Sequence, residues 1–110
     1  MKKLPIKAAI KLAARSTHPQ YWHSALVLKG GAVISQGWNH DGRHAEVVAL
    51  GKLWPSKRVG TTVISLRMGR DGRLGMAKPC PECSRALKEA GVTRVYYSDR
   101  KGEVILDTTG

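Results

Sequence analysis

The chain has 110 residues, 42% of them hydrophobic and 25% charged, a composition that suits one folded domain over residues 1–110 and excludes a disordered one. Nineteen Lys and Arg against eight Asp and Glu give a formal charge of +11, which favours an anionic partner such as nucleic acid or a phosphorylated small molecule. Two cysteines make no disulfide framework, no apolar run approaches the roughly 20 residues of a membrane helix, and no signal-peptide h-region opens the chain, so a cytoplasmic protein with no membrane partner is expected.

Residues 6–15 read as an amphipathic helix. Ile6, Ala9, Ile10 and Ala13 share one face at i, i+3, i+4, i+7, while Lys7, Lys11 and Arg15 line the other. Pro5 suits the first turn and His18-Pro19 closes the segment. Residues 24–28 and 32–36 read as short apolar strands joined by Lys29-Gly30-Gly31, which is hairpin turn chemistry. Residues 44–54 read as a helix stopped by Pro55, and residues 61–66 as a β-branched, apolar strand. Residues 67–78 are glycine-rich and basic, a long loop or small excursion with a turn at Asp71-Gly72. Residues 81–90 form a helix between Pro81 and a Gly91 cap. Residues 93–97 and 103–107 are two more strands.

The order is α-β-β-α-β-α-β-β, which implies a sheet with some parallel pairing covered by helices. Only residues 98–102 separate the last two strands, and a parallel crossover needs about a dozen residues, so these two pair as an antiparallel hairpin. The basic surplus is uneven: the first 37 residues carry six bases and no acid. Trp22, Trp38 and Trp54 read as core or pocket wall.

Chemistry concentrates in His44-Ala45-Glu46 and Pro79-Cys80-Pro81-Glu82-Cys83. Together they match the H-x-E and P-C-x-x-C signature of zinc deaminases that act on nucleobases. Zn²⁺ prefers imidazole and thiolate, and a catalytic zinc keeps three protein ligands and one open position. His44, Cys80 and Cys83 supply three. Two cysteines three positions apart at a helix start can face one ion, where the helix dipole lowers thiolate pKa values. Zinc in turn brings the pKa of water down to about 7. Glu46, two residues after His44, does not share its face in a regular helix, which argues against a co-ligand and for a proton shuttle from water to the ring nitrogen and the leaving ammonia. A lone C-x-x-C reads equally as a redox pair, and a lone H-x-E is weaker still. Combined, each opening a helix with a strand between them, they point to one metal site. A purely structural zinc more often takes four protein ligands. His18, His23 and His40 have no partner at metal spacing and read as bystanders.

On these motifs the chain resembles the zinc-dependent cytidine deaminase superfamily, over roughly residues 5–107. The resemblance implies a three-layer α/β fold, a mixed five-stranded sheet with helices on both faces, and Zn²⁺ as cofactor. It implies hydrolytic deamination of cytosine to uracil with loss of ammonia. Gly37-Trp38-Asn39 resembles a glycine–x–asparagine of the family, which implies a substrate hydrogen bond at Asn39. The same likeness puts the hold on the base's carbonyl at the Ala45 backbone, and base stacking at Tyr96 or its neighbour Tyr97. Three features depart from relatives: a four-residue loop (40–43) before His44, a long basic loop before Pro79 with Arg67, Arg70, Arg73 and Lys78, and a chain that ends soon after the fifth strand.

The substrate signals conflict. The short final hairpin resembles free cytidine deaminases, and also some polynucleotide editors and bacterial deaminase toxins. The motif style looks more like the nucleic-acid and nucleotide enzymes. The charge tips the reading to cytosine in single-stranded nucleic acid, DNA or RNA. The alternatives are free cytidine, deoxycytidine or (d)CMP, and adenosine deamination by the same zinc chemistry. The rival from another class is a catalytically inactive, zinc-containing nucleic-acid-binding module. Glu46 argues against it, since a structural zinc does not require that carboxylate. Small members of the family often assemble, so a homo-oligomer stays open.

Overall fold

In the computed structural model, which describes residues 5–14, 21–39, 44–69 and 71–107, the first helix is α1 (Ile6–Ala13). Its alanines drive the packing: Ala9 and Ala13 are fully buried, and Lys7 and Lys11 stand on the exposed side. Arg15, His18 and Pro19 lie outside the described residues, as does the 40–43 loop.

The expected hairpin is present and longer than the apolar runs suggested. β1 (Tyr21–Lys29) and β2 (Ala32–Trp38) pair antiparallel around Gly30 and Gly31, at φ 60° and 84°. Two successive positive φ angles match the right-handed twist of the strands, and glycine adopts them without a Cβ clash.

The helix expected over 44–54 ends early, at Gly51. α2 (Ala45–Gly51) begins after His44, which is extended at φ −75°, ψ 145°. Pro55 does not stop this helix. It sits at the start of a separate turn, α3 (Pro55–Arg58), because its fixed φ and missing N–H suit a first helical position. Trp54, expected in the core or pocket wall, is instead 79% exposed at that junction. Trp22 and Trp38 are half-buried and pack on the core, as expected.

β3 (Thr62–Gly69) runs three residues past its expected end and pairs with the two-residue β4 (Leu74–Gly75). The 67–78 segment is therefore a small β excursion. Its turn holds Gly72 at φ 80° and an Asp71 carboxylate that accepts the Arg73 N–H at 3.0 Å. α4 (Pro81–Glu89) follows and ends at Gly91, φ 97°. β5 (Arg94–Ser98) and β6 (Val104–Leu106) complete the order and pair antiparallel, as the short connection required.

The sheet order is β2-β1-β3-β5-β6, with β4 attached to β3. It has six strands where five were expected, because the excursion contributes one. β3 and β5 are parallel, and the other pairs are antiparallel. Strand alternation splits the core in two. Leu26, Leu28, Ile64, Leu66 and Met68 meet Ala9 and Ala13 of α1 on one face. Ala25, Val27 and Val63 meet Ala45, Ala49 and Leu50 of α2 and Leu87 of α4 on the other. Helices thus cover both faces, as the family resemblance implied.

Four buried serines tie the layers together. Ser24 Oγ donates to the Ala9 carbonyl, Ser35 Oγ to Ala49, Ser65 Oγ to Ala77 and Ser98 Oγ to Gly75, at 2.6 to 3.0 Å. Each bond contributes about 0.5–1.5 kcal/mol, and leaving a buried partner unpaired costs more than that. Two of them, at Ser35 and Ser65, anchor the segments that carry the site: α2, and the irregular stretch that leads into Cys80. No helix among the described residues is long and apolar enough to cross a membrane.

Candidate active site

The site forms where the start of α2 meets the start of α4 on one face of the sheet. His44 caps α2 from an extended backbone and Cys80 caps α4 in the same way, at φ −65°, ψ 163°. The Cys83 N–H donates to Cys80 Sγ at 3.4 Å, so this thiol satisfies one of the helix's open donors.

Three side chains converge. His44 Nδ1 lies 3.6 Å from Cys83 Sγ and 3.6 Å from Glu46 Oε1. One ligand atom from each of His44, Glu46 and Cys83 lies within 4.8 Å of the others, and among the described residues this is the single cluster of its kind. Cys80 stands at its edge, exposed, with its sulfur turned to Cys83. The ordinary environment of the two thiols differs. The Cys80 thiol is held below its usual range, first by the Cys83 N–H it accepts and then by a hydrogen bond with the Cys83 side chain. The Cys83 thiol is pushed up to about 12, chiefly by burial, then by that same bond and by the Glu46 charge.

This donor set suits Zn²⁺. An imidazole nitrogen and two thiols on adjacent helix starts are the ligand types zinc prefers. A divalent cation also offsets what raises the Cys83 thiol, since it replaces burial beside a carboxylate with a direct positive partner.

Glu46 is 2% exposed. Oε1 faces His44, and Oε2 is buried with no hydrogen-bond partner among the described residues. His23 Nε2 lies 3.3 Å from Oε2. His23, read from sequence as a bystander, is buried at the floor of the site. Its ring meets Ser65 Oγ at 2.6 Å, and burial above all lowers its pKa from 6.5. The signal that finds it is strand alternation: His23 shares the inward face of Ala25 and Val27. A strand expected to start at Ser24 left His23 in a loop.

The expected substrate residues separate. Asn39 is at the site's edge: its N–H donates to the His23 carbonyl at 3.0 Å, and its Oδ1 accepts the His23 N–H at 2.9 Å. Ala45 is fully buried in the first turn of α2, between His44 and Glu46. Tyr96 is not brought to the site. It pairs with Ile64 and packs on the α1-side core, on the far face of the sheet. Alternation puts the next residue, Tyr97, on the Ser65 side instead. Asn39 and Ala45 are near the cluster because the β2 end and the α2 start meet there. Tyr96 is not, because its register sends it the other way.

A family model described as the cytidine and deoxycytidylate deaminase zinc-binding region matches residues 2–99. The chain belongs to this family. Solved deaminases share its fold. RibD of Acinetobacter baumannii is 26% identical with a TM-score of 0.63, over 86% of this chain and 27% of that one. A diaminohydroxyphosphoribosylaminopyrimidine deaminase/5-amino-6-(5-phosphoribosylamino)uracil reductase of Thermotoga maritima is 25% identical with a TM-score of 0.61, over 84% and 28%. The dCMP deaminase of cyanophage S-TIM5 is 25% identical with a TM-score of 0.59, over 90% and 86%. The chain therefore spans about a quarter of the Acinetobacter and Thermotoga proteins and most of the phage deaminase. Comparison with curated proteins gives no significant match.

Proposed function

We propose that the chain is a zinc-dependent hydrolytic deaminase of cytosine in single-stranded nucleic acid, held through its phosphates. The observation that carries the phosphate part is a concavity of about 350 Å³ lined by Arg67, Arg73 and Arg100, with Asp71 as its one acid. Arg67 is cross-strand neighbour to His23, so this basic hollow opens beside the site. A second hollow of about 580 Å³ carries Lys78, Arg85 and Lys88 beside Pro79 and Pro81. Met76 lines the first and Lys78 and Pro79 line the second, so neighbouring residues on the approach to Cys80 border one hollow and then the other. Two separate cationic hollows suit a chain of phosphates better than a single one.

The chemistry assigns roles as follows. His44, Cys80 and Cys83 would hold Zn²⁺, which would supply the Lewis acidity that brings a water's pKa toward about 7. Glu46, buried with Oε1 toward His44, takes a proton from the attacking water and delivers it to the ring nitrogen as the water oxygen bonds to C4 of the base. It then carries the second proton from the added hydroxyl to the amine, the C4–N bond breaks, ammonia leaves and the base is left as uracil. The Ala45 backbone at the α2 start is assigned the hold on the base's carbonyl. Asn39 anchors the rim and orients the sugar or base.

A second reading has its own support. The phage enzyme whose length this chain nearly spans is a dCMP deaminase, and the three arginines would also take one nucleotide phosphate. The test is to give zinc-loaded protein deoxycytidine, deoxycytidylate, and a short cytosine-containing single-stranded DNA or RNA, and to follow the gain of about one dalton by mass spectrometry. Conversion of the oligonucleotide, with affinity that falls steeply with salt, supports the first reading. Conversion of deoxycytidylate alone selects the second. No conversion of any cytosine overturns both and directs the search to adenine or to a binding module.

A further inference from the structure

We infer that His23 is a positioning residue for Glu46: its Nε2–H, oriented by Ser65, holds the Oε2 edge of the carboxylate and turns Oε1 toward His44 and Cys83. The inference rests on the reading that Glu46 carries the proton, and it adds a residue that neither metal motif contains.

The hydrogen-bond inventory sets the direction. Ser65 Oγ has one proton and gives it to the Ala77 carbonyl at 3.0 Å. With the hydroxyl proton on that bond, the oxygen accepts at 2.6 Å from His23 Nε2, and in the proposed arrangement the ring's proton is on Nε2. The same nitrogen lies 3.3 Å from Glu46 Oε2. Oε2 is buried and makes no hydrogen bond in this geometry among the described residues. A small rotation of the carboxylate turns this approach into a shared hydrogen bond, in which Nε2–H serves Ser65 Oγ and Glu46 Oε2 together. The other carboxylate oxygen is then left facing His44 Nδ1.

His23 is held rigidly enough to do this. Its backbone N–H and C=O are both bonded to Asn39, at 2.9 and 3.0 Å. Its ring is pinned by Ser65, whose partner Ala77 lies three residues before Cys80. One network therefore links the end of β2, the floor of the site and the segment entering the second metal motif. An unpositioned carboxylate would sample rotamers, and proton transfer depends on hydrogen-bond distance at the moment of reaction.

The test combines a spectroscopic readout with kinetics, on the full zinc-loaded chain. Long-range ¹H–¹⁵N correlation of the imidazoles reads the His23 tautomer. Nε2–H is expected, with a shift of that resonance in Glu46→Gln. An Nδ1–H tautomer, or a His23 signal indifferent to Glu46→Gln, overturns the inference. In kinetics, His23→Leu removes the donor and His23→Gln keeps an N–H at the Nε2 position. On the substrate the wild type converts, His23→Leu should lose about 10–100-fold in kcat with KM unchanged, as supporting partners of site residues do, and His23→Gln should recover most of it. A His23→Leu variant that folds with wild-type kcat overturns the inference, as does one whose loss lies wholly in KM. If His23→Leu fails to fold, the tautomer and the Glu46→Gln response still decide. If the wild type converts no cytosine, the functional reading fails, and the same two measurements judge the His23–Glu46 contact alone.

Discussion

Glu46 Oε1 stands 3.6 Å from His44 Nδ1 although only one residue separates them in the chain. In a helix that spacing would point the two side chains apart. It does not here because His44 is not helical: its extended backbone turns the imidazole back over the first turn of α2. The imidazole and the carboxylate thus share one small volume, and the helix start itself supplies the geometry.

Replacing Glu46 with Gln should separate the two roles. The amide keeps the size and loses the proton carrier, so turnover should fall by about 10²–10⁴-fold. Zinc content by atomic absorption should stay at the wild-type level, and so should the thermal midpoint. Loss of the metal together with activity would mean that Glu46 serves as a ligand.

The two thiols should react differently once the metal is removed. In chelator-treated protein at neutral pH, the exposed Cys80, with its lowered pKa, holds the larger thiolate fraction. Cys83, pushed up to about 12, holds almost none. Since the thiolate is the nucleophile, iodoacetamide should label Cys80 first, as peptide mass mapping would show. Zinc restored before labelling should protect both.

Gly37→Ala should damage the site from outside it. A Cβ at that position would sit 2.8 Å from the Ala49 backbone nitrogen and 2.9 Å from the Ala45 carbonyl oxygen. Both contacts are backbone atoms of α2, so the helix itself would have to move off β2. Overpacking of this kind costs about 1–3 kcal/mol, and the displaced helix carries Glu46. We expect a lower denaturation midpoint together with lower zinc affinity. An unchanged midpoint would show that the β2–α2 contact is looser than it looks.

His23 should give the protein an acid-sensitive stability. Its folded pKa lies below the 6.5 of the unfolded chain, chiefly because burial disfavours the charged ring. Above pH 6.5 both states are neutral at this residue and it adds no pH dependence. Below 6.5 the unfolded chain takes up a proton that the folded ring resists. Stability then declines as pH falls from 6.5 toward the lower folded value. Denaturant midpoints between pH 8 and 5 should fall at the acid end, and His23→Gln should flatten that limb. An unchanged slope in His23→Gln would assign the acid sensitivity elsewhere.

Much of this protein was legible before any coordinates. Periodicity marked α1, a leading proline and a glycine cap marked α4, apolar and β-branched runs marked the central strands, and the five residues between the last two strands forced their antiparallel pairing. The two motifs indicated the ligand types because together they match a zinc-deaminase signature, and imidazole and thiol are donors that zinc prefers. Boundaries were less legible. Pro55 can end one helix or begin another, and the choice depends on where the preceding chain leaves α2. The excursion at β4 depends on a hydrogen-bonded partner in β3 that no local pattern contains.

Tertiary structure alone decided which side of the sheet each residue serves. Tyr96 and Tyr97 are equivalent in composition, but register with β3 sends Tyr96 to the α1 core and Tyr97 to the face of the site. His23 looks like a stray polar residue at a strand end, yet the pairing of β1 with β3 sets it two residues' height from Ser65 and beneath Glu46. Side-chain chemistry is a local property and can be read along the chain. Proximity between residues 23, 46 and 65 arises only when three elements are packed, because each contributes a single contact that has meaning through the other two.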